Sequence, residues 1–260
     1  MTTSGAASAT AWLKRSGRGG RAAVRLFCFP YAGGSASVFG RWQESFPETV
    51  EVCPVELPGR ATRLKEAAHR DVWSLNLAMA DALLPYLDRP FAFFGHSMGA
   101  LIGFEFARHL RREHRLTPHH LFVSGRRAPQ LPDDRPPTYQ LPDEEFLETL
   151  FLYNGTQQEV FENYALVKLL LPMMRADFEL VQTHVYTPEP PLDCPVTVFG
   201  GSLDKAVSRE QLEAWREQTS ARFSLSILPG DHFLMHTAER QLLDEISREL
   251  SALAELLAGD

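Results

Sequence analysis

Serine chemistry is suggested by the pentapeptide Gly95-His-Ser-Met-Gly99, which matches the pattern G-x-S-x-G. The apolar run Phe91–Phe94 before it is typical of a buried strand, and apolar residues recur at helical spacing after it. In such a strand-turn-helix arrangement the serine sits exposed on a sharp turn. We therefore predict that Ser97 is a nucleophile, which needs a neighbouring base at neutral pH. The alternative is an ordinary strand-to-helix turn.

The base is predicted to be His232, one of nine histidines in the chain. It lies in the loop 229–233 directly after a late strand-like segment, from where its side chain could reach back over a sheet. Serine nucleophiles on such turns are followed along the chain by an acid and then by a histidine, and His232 satisfies that order. The alternative is a solvated loop histidine.

The acid that orients this histidine is predicted to be Asp204. It follows the strand-like segment Val196–Phe199, in a loop opened by two glycines. Asp231 is a rival, but as the chain neighbour of His232 it is poorly placed to accept a hydrogen bond from the imidazole Nδ1. Asp193 is a second rival, but it precedes its strand, whereas catalytic residues of open α/β sheets collect at the carboxyl ends of strands.

An oxyanion formed at the attacked carbonyl requires two fixed N–H donors. The residue after the nucleophile, Met98, is expected to supply one of them. The second is expected from the loop 30–35 after the first predicted strand, where Ala32 lies among small residues. A simple tight turn is the alternative interpretation of that loop.

Positioning these residues requires a sheet whose strands alternate with helices. Six segments have the apolar pattern of strands: Val24–Phe29, Val50–Leu57, Phe91–Phe94, His119–Ser124, Val196–Phe199 and Phe223–Leu228. Helical patterns separate most of them, at residues 38–46, 72–87, 210–218 and 238–257 and after Ser97. The sequence therefore predicts the α/β class, with a mostly parallel sheet flanked by helices.

The alternation is interrupted at residues 133–187, which proline-rich segments flank and which contain apolar residues at helical spacing. We predict that this insertion is a helical lid on a core formed by residues 24–132 and 188–260. Two roles stay open for its apolar residues: packing on the sheet edge, or lining an apolar substrate chamber as well. Residues 1–23 are rich in Ser, Ala, Gly and Arg, and we predict a disordered leader, with a transit peptide as the alternative.

Composition and charge limit the class of function. The 260 residues are 44% hydrophobic, which suits one large domain, and the net charge of -7 argues against nucleic-acid binding. The sequence has no apolar run of the roughly 18 residues that cross a membrane, so no membrane association is expected. The three cysteines are few and widely spaced, and we interpret them as buried thiols in a reducing compartment, the cytoplasm, not as disulfides or a zinc site.

Five motifs, in order, resemble those of type II thioesterases, the discrete editing thioesterases that accompany modular polyketide and nonribosomal peptide synthetases. The motifs are Phe29-Pro-Tyr-Ala-Gly-Gly34, Leu57-Pro-Gly-Arg60, Gly95-His-Ser-Met-Gly-Ala100, Leu171-Pro-Met-Met-Arg-Ala-Asp-Phe-Glu179 and Gly230-Asp-His-Phe233. The similarity extends from about Val24 to the last predicted helix, and five motifs in order are far more specific than G-x-S-x-G alone.

The resemblance implies an α/β-hydrolase fold with a helical lid, and hydrolysis of acyl groups from the phosphopantetheine arm of a carrier protein. It implies a triad of Ser97, His232 and Asp204, with Met98 and Ala32 as the oxyanion donors. Such chemistry requires no metal ion and no redox cofactor. The residues themselves predict only acyl transfer to water, and the word thioester rests on the resemblance.

Carrier proteins are usually acidic, so docking on this acidic chain would require a local basic patch. One candidate patch follows the second predicted strand and contains Arg60, Arg63 and Lys65. The other lies on one face of the helix after the nucleophile and contains Arg108, Arg111, Arg112 and Arg115. A solvated charged face with no partner is the alternative for both.

Other functions also fit parts of the pattern. An ester hydrolase that acts on free small molecules would use the same triad. A chain-releasing cyclase would be part of a synthase, which suits this short chain less well. A non-catalytic binding protein of the same fold would usually lack part of the triad.

Overall fold

The structure is a computed structural model, and it describes residues 11–14, 22–133, 135–152 and 164–258. Its centre is a parallel sheet of six strands in the order β2-β1-β3-β4-β5-β6. The strands are β1 Val24–Phe29, β2 Val50–Pro54, β3 Phe91–His96, β4 His120–Ser124, β5 Val196–Gly201 and β6 Phe223–Leu228. The predicted α/β class and parallel sheet are therefore confirmed.

Each inner strand is buried because helices cover both faces of the sheet, which explains the nearly continuous apolar runs in the sequence. Side chains alternate between the faces, so β1 directs Phe27 and Phe29 into one core and Leu26 and Cys28 into the other. All six strands run in the same direction, and the loops after them meet at one edge. That edge is where the predicted site residues should lie.

Seven α-helices are present in the part of the chain that the structure describes. They are α1 Val72–Leu83, α2 Met98–His114, α3 Asp143–Leu152, α4 Tyr164–Gln182, α5 Arg209–Glu213, α6 Leu234–Thr237 and α7 Glu239–Ala258. Helices α1 and α2 bury apolar residues on one face of the sheet, and α7 does so on the other. None of the helices within the described ranges is long and apolar enough to cross a membrane.

Some predicted boundaries differ from the observed ones. The predicted helix over residues 38–46 consists of two short 3-10 helices, Ala36–Phe39 and Trp42–Ser45. The second strand ends at Pro54, three residues earlier than predicted, although the N–H of Val55 still donates to the C=O of Cys28 at 2.9 Å. Boundaries depend on hydrogen bonds that periodicity does not reveal.

The predicted lid region contains α3 and α4, joined by residues outside the described ranges. Phe146, Leu150 and Leu171 form a small apolar cluster between these two helices. The ring of Phe146 also packs edge-on against Phe178, with ring centroids 5.2 Å apart. The two helices therefore share a core of their own, separate from the two cores of the sheet.

The prediction of a disordered leader is wrong for residues 11–14 and for residues 22–23, where Ala22 is buried and the N–H of Ala23 donates to the C=O of Thr49 at 2.8 Å. Trp12 and Leu13 are buried against the main core, and Leu13 forms an antiparallel bridge with Val55. The guanidinium of Arg63 lies 4.0 Å from the centre of the Trp12 ring. This apolar pair stabilises the segment on the sheet although it is surrounded by a polar, glycine-rich sequence; residues 1–10 and 15–21 of the predicted leader lie outside the described residues.

Candidate active site

Ser97 occupies the turn between β3 and α2. Its backbone angles, φ 51° and ψ -109°, lie where residues other than glycine are rarely found. Such a conformation costs about 1–3 kcal/mol and persists only where the surroundings enforce it. Here the N–H of Ser97 donates to the C=O of Ser124 at 2.8 Å, which fixes the turn to the end of β4. The turn is thus the strained elbow that the sequence predicted.

The two glycines of the pentapeptide allow this turn to be packed tightly. A Cβ atom on Gly95 would lie 2.1 Å from the carbonyl oxygen of Gly99. A Cβ atom on Gly99 would lie 2.0 Å from the carbonyl oxygen of Phe29 at the end of β1. No side chain fits at these distances, so both positions require glycine for reasons of space.

The predicted base and acid meet the serine at this edge of the sheet. The Nε2 atom of His232 lies 3.2 Å from the Oγ atom of Ser97, and its Nδ1 atom lies 2.9 Å from Oδ2 of Asp204. A carboxylate can only accept a hydrogen bond, so the imidazole Nδ1 carries the proton and Nε2 is left to accept from the serine hydroxyl. The structure thereby brings together all three residues predicted from the sequence.

Asp204 is held from behind by the backbone of its own loop. Its Oδ1 atom accepts hydrogen bonds from the N–H groups of Ala206 at 2.7 Å and Val207 at 3.2 Å, and its side chain is only 1% exposed. Asp231, the rival acid, instead accepts from the N–H of Phe233 through Oδ1 at 2.9 Å. The choice of Asp204 over Asp231 as the partner of the imidazole therefore agrees with the observed hydrogen bonds.

The second residue of the pentapeptide, His96, packs behind the base. The His96 ring centroid is 5.3 Å from that of His232, and its Nδ1 atom lies 3.0 Å from the Ser124 hydroxyl. Burial lowers the pKa of His96 well below its usual value, and the nearby His232 and His236 lower it further. His96 is thus neutral, so it adds no positive charge that would disfavour an imidazolium at His232.

The two predicted oxyanion donors lie on either side of the serine. Met98 is the first residue of α2, and the first N–H groups of a helix have no partner within it. Ala32 lies in a turn that the N–H of Gly34 closes by donating to the C=O of Tyr31 at 2.9 Å. Both residues line the same cavity as Ser97, and their function as donors stays a prediction.

A cavity of about 690 Å³, which we call the chamber, opens beside Ser97 and His232. The lid supplies much of its apolar wall, through Leu150, Leu170, Met174, Phe178 and Val181. Of the two roles left open for the lid, both are observed: these residues line the chamber, and Leu180 and Val181 of α4 pack against the main core of the sheet. An apolar wall next to the predicted nucleophile suits a substrate with a hydrocarbon part.

Comparison with known proteins identifies the family. Residues 24–252 match a family model described as the thioesterase domain. The chain belongs to the thioesterase domain family. Linear gramicidin dehydrogenase LgrE of Brevibacillus parabrevis is 46% identical over 94% of this chain and 94% of its own.

Solved structures share the fold of this thioesterase. The thioesterase RedJ from the prodiginine biosynthetic pathway of Streptomyces coelicolor is 41% identical, with a TM-score of 0.83 over 88% of this chain and 91% of its own. YbtT, a type II thioesterase of the yersiniabactin pathway, is 32% identical, with a TM-score of 0.80 over 92% of this chain and 97% of its own. The α/β-hydrolase fold and the thioesterase resemblance inferred from the motifs are confirmed.

One basic patch predicted for carrier docking is contradicted by the structure of the thioesterase. Arg60 and Arg63 are buried, and of that group only Lys65 is exposed. Arg63 donates to the Glu56 C=O at 3.0 Å and to the Glu66 carboxylate at 2.5 Å and 2.8 Å. These arginines are structural because their guanidinium groups satisfy backbone and carboxylate acceptors inside the fold.

The second patch, on α2, also differs from the prediction. Arg108 is buried, and the carboxylate of Glu189 forms ion pairs with Arg108 at 3.0 Å, Arg111 at 3.1 Å and Arg112 at 2.9 Å. Glu189 lies 77 residues after Arg112 in the sequence, and its negative charge neutralises part of this face of α2. The face of α2 therefore matches neither the predicted docking patch nor the alternative of a solvated face with no partner, because Glu189 pairs with three of its four arginines.

Sequence reasoning missed a group of arginines at the chamber. Arg126, Arg127 and Arg135 line it, and Asp133 pairs with Arg127 at 2.7 Å and with Arg135 at 2.9 Å. Although burial acts to raise the pKa of Asp133, hydrogen bonds from the two arginines hold it well below its usual range. The only signal in the sequence was the dipeptide Arg126-Arg127 directly after β4, at the edge where the site residues collect.

Proposed function

We propose that this protein is a type II, editing thioesterase that removes acyl groups from the phosphopantetheine arm of carrier proteins in peptide or polyketide biosynthesis. The observation that carries the proposal is the hydrogen-bonded chain from Ser97 through His232 to Asp204, at the wall of an apolar chamber. The named activity and pathways of RedJ and YbtT support the substrate class.

The first half-reaction transfers the acyl group to the enzyme. Ser97 Oγ forms a bond to the thioester carbonyl carbon while its proton passes to His232 Nε2. The carbonyl electron pair moves to oxygen, which the N–H groups of Met98 and Ala32 stabilise. When this intermediate collapses, the C–S bond breaks, and the proton on His232 passes to the departing sulfur.

The second half-reaction releases the acid. His232 takes a proton from a water molecule, whose oxygen attacks the carbonyl carbon of the acyl-serine. Collapse of the second intermediate breaks the bond to Ser97 Oγ, which recovers its proton from His232. Asp204 orients the imidazole and stabilises its cationic form throughout. Serine and histidine supply the nucleophile and the proton transfers, so the proposed reaction requires neither a metal ion nor a redox cofactor.

The arginines at the chamber suggest how a carrier-bound substrate is received. A phosphopantetheine arm has a phosphodiester at its carrier end and the thioester at the other. We propose that Arg126, Arg127 and Arg135 attract that phosphate while the arm extends toward Ser97. Arginine suits this function because its planar guanidinium donates two parallel hydrogen bonds to phosphate oxygens.

The cytoplasm is the proposed location. All three cysteines, Cys28, Cys53 and Cys194, are present as buried free thiols. Burial raises the pKa of Cys28 well above its usual value and that of Cys194 to about 12, so both stay protonated and unreactive at neutral pH. Free thiols of this kind are typical of a reducing compartment.

Mass spectrometry of a panel of acyl-loaded carrier proteins, incubated with the wild type and with Ser97→Ala, tests the proposal. We expect the wild type to release the acyl groups and Ser97→Ala to leave them bound, with a loss of at least about 10³-fold in rate. Ser251→Ala, on α7 away from the chamber, is the matched control and should retain wild-type rates. Turnover by Ser97→Ala would contradict the assignment of the nucleophile.

Two additional substrates separate the alternatives. Efficient hydrolysis of aryl esters without release from carriers would make the protein an ester hydrolase for small molecules. A dehydrogenase activity would instead match the name of the relative LgrE. Carrier binding by the wild type with no turnover of any substrate would indicate a non-catalytic binding protein.

A further inference from the structure

A buried ion pair joins the lid to the segment after β2. Arg60 lies in that segment and Asp177 lies on α4, and their side chains are 4% and 2% exposed. Arg60 Nη2 donates to Asp177 Oδ1 at 2.6 Å, and Nη1 donates to Oδ2 at 3.0 Å. This two-point geometry is specific and strong, and either charge alone would be buried without compensation.

The same two side chains also bind the loop that contains Ala32. Asp177 Oδ2 accepts a hydrogen bond from the Gly33 N–H at 2.8 Å, and Arg60 Nη1 donates to the Gly34 C=O at 2.9 Å. Gly33 has φ 81°, which glycine adopts without strain, so the turn itself is permissive. The Gly34 N–H bond to the Tyr31 C=O closes the turn, and the ion pair binds the two remaining peptide groups, the Gly33 N–H and the Gly34 C=O, which ties the orientation of the turn to α4.

Apolar contact with the lid adds to these hydrogen bonds. Met174 lies one turn before Asp177 on α4, so the two side chains project from the same face of the helix. A Cβ atom on Gly33 would lie 3.5 Å from the Cε atom of Met174. Because Met174 also lines the chamber, the same turn of α4 contacts both the substrate space and the loop.

We infer that Arg60 and Asp177 are a positioning pair. Through this pair, the position of α4 determines the direction in which the N–H of Ala32 points. Neither side chain lines the chamber, and the pair acts through the backbone of residues 32–34. This inference rests on the proposed function, because Ala32 is assigned there as an oxyanion donor. An oxyanion donor is effective only when it is held in place before the reaction, and a shift of about 1 Å costs about 100-fold in rate.

The direct test is Asp177→Asn, assayed with a short-chain N-acetylcysteamine thioester that makes few contacts with the lid. Asparagine has the same shape but lacks the charge that holds Arg60. We expect kcat to fall about 100-fold while KM stays within about twofold, because a donor used in the transition state is displaced. Arg60→Lys, which keeps the charge but not the two-point geometry, should change kcat in the same direction.

The matched control is Glu51→Gln. Glu51 is a fully buried carboxylate that accepts from Arg25 Nε at 3.0 Å, and the pair lies near the amino ends of β1 and β2, opposite the active site. Asp177→Asn and Glu51→Gln should both lower Tm, because each removes the negative charge of a buried ion pair. Glu51→Gln should nevertheless keep the wild-type kcat. If Asp177→Asn lowers Tm and leaves kcat within about twofold of the wild type, the pair is only structural and the inference is wrong.

A double variant covers the case in which Asp177→Asn does not fold. Replacing a buried ion pair by apolar residues of similar volume is often neutral for stability. Arg60→Met combined with Asp177→Leu should therefore recover most of the wild-type Tm, yet it leaves the Gly33 N–H without its acceptor. We expect the low kcat to persist, and a wild-type kcat in this variant would overturn the inference.

Labelling of Ser97 separates failure of this inference from failure of the proposed function. Ser97 Oγ forms a P–O bond with a small alkyl fluorophosphonate while its proton passes to His232 Nε2 and the P–F bond breaks to release fluoride, and the phosphoryl oxygen occupies the oxyanion position. The labelling rate, followed by intact-protein mass spectrometry, should fall about 100-fold in Asp177→Asn even if no thioester proves to be a substrate. An equal labelling rate in the variant and the wild type would show that the donor had not moved.

Discussion

At the scale of single residues, the acid of the triad shows how one carboxylate can be assigned by its hydrogen bonds. Asp204 offers one oxygen to two backbone N–H groups and the other to His232. The first oxygen fixes the side chain, so the second has one direction in which to accept. The imidazole is therefore held in the tautomer that leaves Nε2 free to take the serine proton.

Asp204→Asn tests this assignment. An amide can donate to Nδ1 and so favours the wrong tautomer, and we expect kcat for thioester hydrolysis to fall about 10⁴-fold with little change in Tm. Asp193→Asn, at an exposed residue before β5, should retain wild-type kcat in the same assay. An equally large loss in Asp231→Asn, with Asp204→Asn active, would move the role of the acid to Asp231.

At the scale of elements, the elbow depends on how closely α2 crosses the end of β1. The backbone of Gly99 contacts the carbonyl of Phe29 so tightly that a Cβ atom there would lie 2.0 Å from its oxygen. Flexible side chains could move aside, but a strand carbonyl inside a parallel sheet cannot move without breaking its ladder. The helix position, and with it the direction of Ser97, therefore depends on this glycine.

Gly99→Ala should consequently destabilise the protein by about 3 kcal/mol, as expected for strong overpacking, and lower Tm by about 10 °C. Gly40→Ala is the control, since Gly40 has φ -58° in the right-handed region and a Cβ atom there would lie 3.1 Å from the Ser37 carbonyl oxygen, a contact that a shift of a few tenths of an ångström relieves. Its Tm should stay within about 3 °C of the wild type. Thermal unfolding of the two variants measures the difference, and equal Tm values would mean that the elbow has more room than the structure indicates.

At the scale of the whole molecule, the basic residues form two groups in different surroundings. Three of the arginines predicted to bind a carrier, Arg60, Arg63 and Arg108, are buried in ion pairs that hold the fold together. The arginines at the chamber instead line the cavity beside Ser97, although the chain is acidic overall with a net charge of -7. In the proposed complex with a carrier, local potential and not net charge guides the acidic partner.

Arg135→Glu should raise KM for an acyl-carrier substrate about 10-fold, because it places a negative charge beside the expected phosphate, while KM for a short N-acetylcysteamine thioester stays unchanged. The difference should shrink in high salt, since Arg135 is largely exposed. Arg240→Glu, an exposed arginine on α7, should leave both KM values unchanged. Equal increases for both substrates would place the effect in the chamber instead of at the carrier.

The sequence by itself determined the elbow, the order of the triad and the parallel sheet. These features are local or follow from connectivity: a strand, a glycine-flanked serine and a helix are adjacent in the chain, and parallel strands bring their carboxyl ends to one edge. Ser97, Asp204 and His232 each follow a strand, so their meeting was predictable from the strand pattern.

Only the tertiary structure decided which charges pair, because a pair forms between segments that are distant in sequence and its partner leaves no local pattern. Arg60 and Asp177 are separated by 117 residues. Each belongs to one of the motifs that carry the family resemblance, but nothing in the motifs predicts that the two side chains pair. The packing of Trp12 on the sheet was hidden for the same reason, since its polar neighbours predicted disorder. Arg60, predicted to be a docking residue, is instead buried and paired with Asp177 of the lid. A charge that is excluded from water requires an opposite charge or hydrogen-bond partners inside the fold.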